Sequence, residues 1–304
     1  MDGAMIDRYR TVDVAVPGGA LRVGVWDGPE TDVAAPTVVL VHGVTASHLA
    51  WQLVADALPG MRVVAPDLRG RGRSNDLTGH AGMAQHADDL AAVFAALDIG
   101  PTVVVGHSMG AFASLVFAHR HPQLVSRLLL VDGGLPLAAP EGLSPAALVA
   151  AILGPTAARL DMRFAGEADY LDFWRAHPAF TADWSDELER YLAYDLVPAG
   201  TGYRPATSLQ TVEEDTVDLN GGTALLGALA AIEQHSVEFV TVPRGLQNEA
   251  PGLYPPAHLE TLLATYPSVS HERWDGFNHY TVVMGAEGAQ RVAALIARQF
   301  TAVG

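Results

Sequence analysis

The chain has 304 residues, 30 of them glycine and none cysteine; 49% are hydrophobic, 17% are charged, and the formal net charge is −16. This composition supports a packed core and excludes a disordered chain, disulfides, thiolate metal sites and a cysteine nucleophile. The negative charge argues against nucleic acid or an acidic membrane surface as a partner. Met1 to Arg8 lacks a basic start followed by an apolar stretch, and no apolar run reaches the length of a membrane span, so a cytoplasmic protein is expected.

Thr11 to Val16 and Leu21 to Trp26 read as two strands around the turn Pro17-Gly18-Gly19, an antiparallel start. Thr37 to Val41 is a continuous apolar run of the kind buried on both faces, and it ends in His42-Gly43-Val44. Arg62 to Pro66 is another such strand, followed by Asp67-Leu68-Arg69-Gly70-Arg71-Gly72-Arg73-Ser74. No third glycine and no directly following helix accompany that G-x-G, so it reads as a loop whose arginines brace neighbouring turns. Leu90, Val93, Phe94 and Leu97 fall at helical spacing between His86 and Leu97.

The β-branched run Thr102 to Val105 then enters Gly106-His107-Ser108-Met109-Gly110, and an apolar helix begins at Ala111. The pentapeptide fits G-x-S-x-G, in which a strained strand-to-helix turn lifts a serine hydroxyl clear of the sheet. The glycines suit a place where strand and helix backbones approach too closely for side chains. Val125 to Val131 is the next strand, ending at Asp132-Gly133-Gly134. Strands alternating with helices predict βαβ units and a mostly parallel sheet with helices on both faces.

From Leu135 to Ser236 the pattern turns helical, with starts at Ser144 and Ser185 and breaks at Pro178, Pro198, Gly200 and Gly202. Core segments 1–134 and 237–304 around a helical cap at 135–236 are therefore expected. Tyr170, Phe173, Trp174, Phe180, Trp184, Tyr191, Tyr194 and Tyr203 lie in that insertion. Most suit its own core and a few suit the cleft, which predicts an apolar, aromatic pocket. Strand character returns at Glu238 to Val242 and His271 to Trp274, with helices at Ala257 to Thr265 and Gly285 to Phe300.

A serine hydroxyl needs an adjacent base, and the base needs a carboxylate to set its tautomer. Of the twelve histidines, His279 lies after the last short strand, at the sheet edge from which Ser108 emerges. His42 and His107 read as structural, and His119 and His121 lack a third metal ligand at recognisable spacing.

The His42-Gly43 turn, the Asp67 to Ser74 loop, the Gly106 to Gly110 elbow and Asn278-His279-Tyr280 together resemble the α/β-hydrolase fold family. The resemblance covers most of the chain outside the insertion. It implies a nucleophile at Ser108, a base at His279 and an oxyanion hole formed by the N–H groups of Val44 and Met109. Many members carry the acid in a G-x-x-D turn after the strand that follows the cap, but here Gly245-Leu246-Gln247-Asn248 puts an amide there. Two replacements compete. Asp132 stands where haloalkane dehalogenases and zearalenone-type lactonases place the acid, and Glu249 is one residue past the usual site; Asp275 is a weaker third choice. The expected activity is cofactor-independent hydrolysis of an ester or lactone of a small hydrophobic substrate, with no metal. Zearalenone-like macrolactones, thioesters and carbon–carbon bonds fall within the same constellation, and a ligand-binding receptor on the same fold is the reading of another class.

Overall fold

The structure, a computed structural model, describes residues 8–30, 35–138 and 142–301. Eight strands form one sheet in the order β1 (Tyr9–Val16), β2 (Gly19–Trp26), β4 (Arg62–Pro66), β3 (Thr37–Val41), β5 (Thr102–His107), β6 (Val125–Val131), β9 (Val237–Thr241), β10 (Ser270–Arg273). The β1–β2 and β2–β4 pairings are antiparallel and the remaining five are parallel. Burial follows from this order. Every residue of the central strand β5 is buried, as a parallel strand covered by helices on both faces requires, whereas edge strand β1 is largely open.

The helices of the core are α1 (Gln52–Asp56), α2 (Met83–Ala96) and α3 (Met109–Arg120) before the insertion, and α10 (Pro256–Thr265), α11 (Thr281–Met284) and α12 (Ala286–Thr301) after it. Between β6 and β9 come α4 (Pro145–Leu153), α5 (Pro155–Ala158), α6 (Glu167–Arg175), α7 (Asp186–Tyr194), α8 (Leu209–Asp218) and α9 (Thr223–Ala230). The serine start signals act as caps: Ser144 Oγ accepts from the Ala147 N–H at 3.3 Å and Ser185 Oγ from the Leu188 N–H at 3.2 Å. The insertion also contains strands, which the sequence reading missed. β7 (Leu196–Ala199) and β8 (Gly202–Pro205) pair antiparallel across Pro198, Gly200 and Gly202, and strands of four residues are too short to display an alternating pattern.

One helix of the insertion is fastened to the core by charge. Glu214 Oε2, Asp215 Oδ1 and Asp218 Oδ2 on α8 accept the backbone N–H groups of Ala81, Gly82 and Met83 at 2.8, 2.8 and 2.5 Å. These N–H groups open α2 and have no partner within it, so three carboxylates close its N-terminus and sit at the positive end of its dipole.

Candidate active site

Ser108 joins β5 to α3 with φ 55° and ψ −127°, a conformation that costs a non-glycine residue about 1–3 kcal/mol. The surrounding backbone leaves little alternative. A Cβ on Gly106 would stand 2.4 Å from Ala111 Cα, and one on Gly110 would stand 2.2 Å from the Val41 carbonyl oxygen. The Ser108 N–H donates to the Val131 carbonyl at 2.9 Å, and the Ser108 carbonyl accepts from the Ala111 N–H at 3.0 Å, holding the turn from both sides.

His279 lies between β10 and α11 with its backbone pinned at both ends. Its N–H donates to the Arg244 carbonyl at 2.9 Å, and its carbonyl accepts from His107 Nε2 at 2.8 Å. Burial lowers the pKa of His107, which keeps that ring neutral while it packs 4.7 Å from the His279 ring. From this position His279 Nε2 is 3.0 Å from Ser108 Oγ and Nδ1 is 2.7 Å from Asp132 Oδ2. Asp132 is fully buried at the end of β6; its N–H donates to the Val240 carbonyl at 2.7 Å and its Oδ1 accepts from the Val242 N–H at 3.3 Å. With Nδ1–H donating to the carboxylate, Nε2 presents a lone pair to the serine hydroxyl.

The other acids stand apart from this line. Glu249 is exposed and curls onto its own turn, its Oε2 accepting from the Gln247 N–H at 2.6 Å; Asp275 is exposed as well. Asn248, at the usual acid position, accepts through Oδ1 from Asn278 Nδ2 at 3.2 Å. The structure thus brings Asp132, and not Glu249, to the imidazole.

Val44 and Met109 both line the cavity in front of Ser108. The Met109 N–H opens α3 and has no intrahelical acceptor, and the Val44 N–H meets no acceptor among the described residues. His42 holds the Val44 loop from behind. Its Nδ1–H donates to the Gly43 carbonyl at 2.7 Å, and its Nε2 accepts from the Leu68 N–H at 2.9 Å. Burial moves this imidazole down to about 4, so it stays neutral and structural. Gly43 faces the serine, and a Cβ there would lie 3.1 Å from Ser108 Cβ.

The cavity is narrow, ≈ 430 Å³ counting its open mouth, and its walls are aliphatic. Leu137, Ile152 and Leu153 come from β6 onward and α4, Leu219 follows α8, and Leu246 and Leu253 follow β9, with Phe112 of α3 at its side. Thr216 adds one hydroxyl, which already donates to the Val212 carbonyl at 2.6 Å. The expected aromatic lining is therefore not observed. The insertion's aromatic side chains pack on one another and on the core, as in the Phe164–Tyr170, Trp174–Phe180 and Phe180–Tyr280 pairs, while Tyr191 and Tyr194 face a separate groove beside α1. Large rings bury most area in the insertion's own core, and the aliphatic residues of α4 and of the turn after α8 are left for the cleft. Nothing in the spacing of these aliphatic residues distinguished the two destinations.

Among the described residues no group of three or more His, Asp or Glu side chains could hold a metal ion, and no helix is long and apolar enough to cross a membrane.

Residues 36–223 match the profile of the alpha/beta hydrolase fold. Over 100 residues the chain is 36% identical to Uncharacterized protein Rv2715 of Mycobacterium tuberculosis, a match covering 33% of this chain and 29% of that protein. The chain thus spans less than a third of the length of that curated relative. Among solved structures, E-2-(acetamidomethylene)succinate hydrolase superposes with a TM-score of 0.78 at 19% identity, covering 95% of this chain and 99% of the other. The thioesterase domain from the curacin biosynthetic pathway superposes with a TM-score of 0.74 at 24% identity, covering 95% and 99%. At such identities the superpositions speak for the fold. With more than half of its length matched by the profile and an eight-stranded sheet carrying a serine at the elbow after β5, the chain belongs to the alpha/beta-hydrolase fold family.

Proposed function

We propose that this protein is a cofactor-independent serine hydrolase that cleaves an ester or lactone of an uncharged, apolar substrate. The observation that carries the reading is the alignment of Ser108 Oγ, the His279 ring and Asp132 at 3.0 and 2.7 Å, beside the backbone N–H groups of Val44 and Met109, which meet no acceptor among the described residues. In this reading Ser108 Oγ attacks the carbonyl carbon while His279 Nε2 takes its proton, and Asp132 stabilises the imidazolium. The N–H groups of Val44 and Met109 hold the oxyanion. Collapse of the tetrahedral intermediate expels the alcohol, which takes the proton from Nε2. Water then attacks the acyl-enzyme with His279 as base and restores Ser108.

The walls support the substrate class. Apart from the Asp132–His279 pair, no ionisable side chain among the described residues lines the cavity, so a carboxylate-bearing acyl group would find no cation there to compensate its desolvation. Macrolactones such as zearalenone belong to the class these walls suit. The 135–236 segment serves in this reading as a cap over a core made of 1–134 and 237–304, supplying Leu137, Ile152, Leu153, Thr216 and Leu219 to the wall. A thioester is the second reading, favoured by the superposition on a thioesterase domain, because the same arrangement cleaves either bond.

The test is labelling by a fluorophosphonate together with a panel of p-nitrophenyl esters, aryl lactones and acyl thioesters. Labelling at Ser108, its loss in Ser108→Ala, and turnover of neutral acyl groups are expected. A folded chain inert to every probe would overturn the reading and leave a ligand-binding protein on the same fold.

A further inference from the structure

Arg71 lies in the loop between β4 and α2, fully buried, against Val44 and Met109, the two residues proposed to hold the oxyanion. Its Nε–H donates to the Val44 carbonyl at 2.8 Å and its Nη1–H to the Arg69 carbonyl at 2.8 Å, while Nη2 meets Met109 Sδ at 3.6 Å. The charge is balanced by Asp215 on α8, whose Oδ2 is 2.5 Å from Nη1. Asp215 Oδ1 in turn accepts from the Gly82 N–H at 2.8 Å and lies 3.0 Å from His86 Nε2. The next residue on α8, Thr216, and Leu219 just beyond it wall the cavity.

Packing alone gives no reason for this charge. A buried ion pair contributes little net stability compared with apolar side chains of the same volume, because both ions lose their hydration. What guanidinium supplies, and lysine or methionine does not, is a planar set of donors at fixed angles. Here those donors reach the Val44 peptide on one side and the Met109 side chain on the other. The loops that carry the two proposed oxyanion donors are thereby held at one separation.

We propose that Arg71 is a positioning residue for the oxyanion site, and that its pairing with Asp215 couples that site to the helix forming the wall of the acyl cavity. The proposal rests on the hydrolase reading of Ser108. Donors aimed at a developing charge stabilise the transition state only when held in place, so loosening them lowers kcat and leaves ground-state binding nearly unchanged. Arg71 touches no reacting atom in this scheme and acts through Val44 and Met109.

The test compares wild type with Arg71→Lys and Asp215→Asn, using p-nitrophenyl butyrate hydrolysis, fluorophosphonate labelling and inhibition by a matched pair of alkyl ketones. One ketone is trifluoromethylated, so that it adds to Ser108 as a hemiketal oxyanion, and the other is not. For Arg71→Lys, kcat is expected to fall about 10–100-fold with KM within about 3-fold. Trifluoromethyl ketone inhibition should weaken in parallel while binding of the plain ketone holds. Should Arg71→Lys not fold, Asp215→Asn carries the test, since it keeps the guanidinium donors while neutralising the carboxylate that anchors them and that also meets Gly82 and His86; a fall in kcat of about 3–10-fold with the same split is expected. An active wild type with unchanged kcat in the folded variants overturns the role of Arg71, as does equal weakening of both ketones. A wild type inert to ester and fluorophosphonate alike overturns the hydrolase reading, and this proposal with it.

Discussion

Asn278 donates its side-chain N–H to the Asn248 side-chain oxygen at 3.2 Å, so the amide standing at the usual acid position braces the residue before His279. The same Asn278 Nδ2 donates to the Ala179 carbonyl at 2.9 Å, and its Oδ1 accepts the N–H groups of Tyr280 and Thr281, both at 2.9 Å. At Asn278 the histidine loop is thus held by uncharged groups, and the carboxylate that faces the imidazole comes from the end of β6.

If Asp132 is the acid, Asp132→Asn should lower kcat about 10²–10⁴-fold, because an amide offers Nδ1 no charge and disturbs the tautomer. Glu249→Gln should stay within about 3-fold, as an exposed change away from the reacting groups does, and so should Asn248→Asp, because a carboxylate oxygen still accepts from Asn278 Nδ2. Side-by-side kinetics on one ester decide the matter. Equal activity of Asp132→Asn and wild type would sink the assignment.

Gly133 follows Asp132 under the elbow, and a Cβ there would stand 2.2 Å from the Ser108 carbonyl oxygen. Backbone cannot swing aside as a flexible side chain can. Gly133→Ala should cost about 3 kcal/mol, near the upper end for overpacking, and lower Tm by about 5 °C in a thermal melt.

Stability should depend on the buried histidines as pH falls. Burial lowers His42 from its ordinary 6.5 to about 4 and lowers His107 as well. Below 6.5 the unfolded chain binds protons that the folded chain refuses, so stability is complete above that pH and declines as pH drops, the share of His42 ceasing to change below about 4. For His42 the loss is about 3 kcal/mol in order of magnitude. Denaturant midpoints between pH 7 and 4 should follow this slope, and His42→Asn should flatten it.

The aliphatic cleft should set acyl-chain preference. Ile152→Trp narrows it from α4, and should favour acetate over octanoate p-nitrophenyl esters about 10-fold more than wild type does. Thr216→Val should leave turnover within about 2-fold, since that hydroxyl is already engaged with Val212. A chain-length series measured on both variants checks the two expectations together.

The central strands were visible in the sequence because burial on both faces leaves continuous apolar runs, and Ser108, Asp132 and His279 all follow strands whose ends lie at one edge of the sheet. The reach of Arg71 was not visible, because a loop of alternating glycine and arginine says nothing about which carbonyl each guanidinium meets. The β7–β8 hairpin was hidden by its own turn residues. The wall of the cavity was hidden for another reason: alanine- and leucine-rich helices look alike whether they face a cleft or a core.

A carboxylate at the end of β6 also changes how the chain divides its labour. Val44, Ser108, Met109 and Asp132 all precede the long insertion, and only His279 lies beyond it. The turn after β9, relieved of a charge, gives Leu246 and the following Leu253 to the cleft. In the proposed reading the reacting groups lie outside the insertion, whereas the wall of the cleft is shared between the insertion and the core; the two meet where α8 caps α2, where Tyr194 donates to Asp67 and where Asn278 donates to the Ala179 carbonyl. An insertion borrowed from another member of the family would have to reproduce all of these contacts, and under the proposed reading it would reshape part of the cavity wall while leaving Ser108, Asp132 and His279 in place.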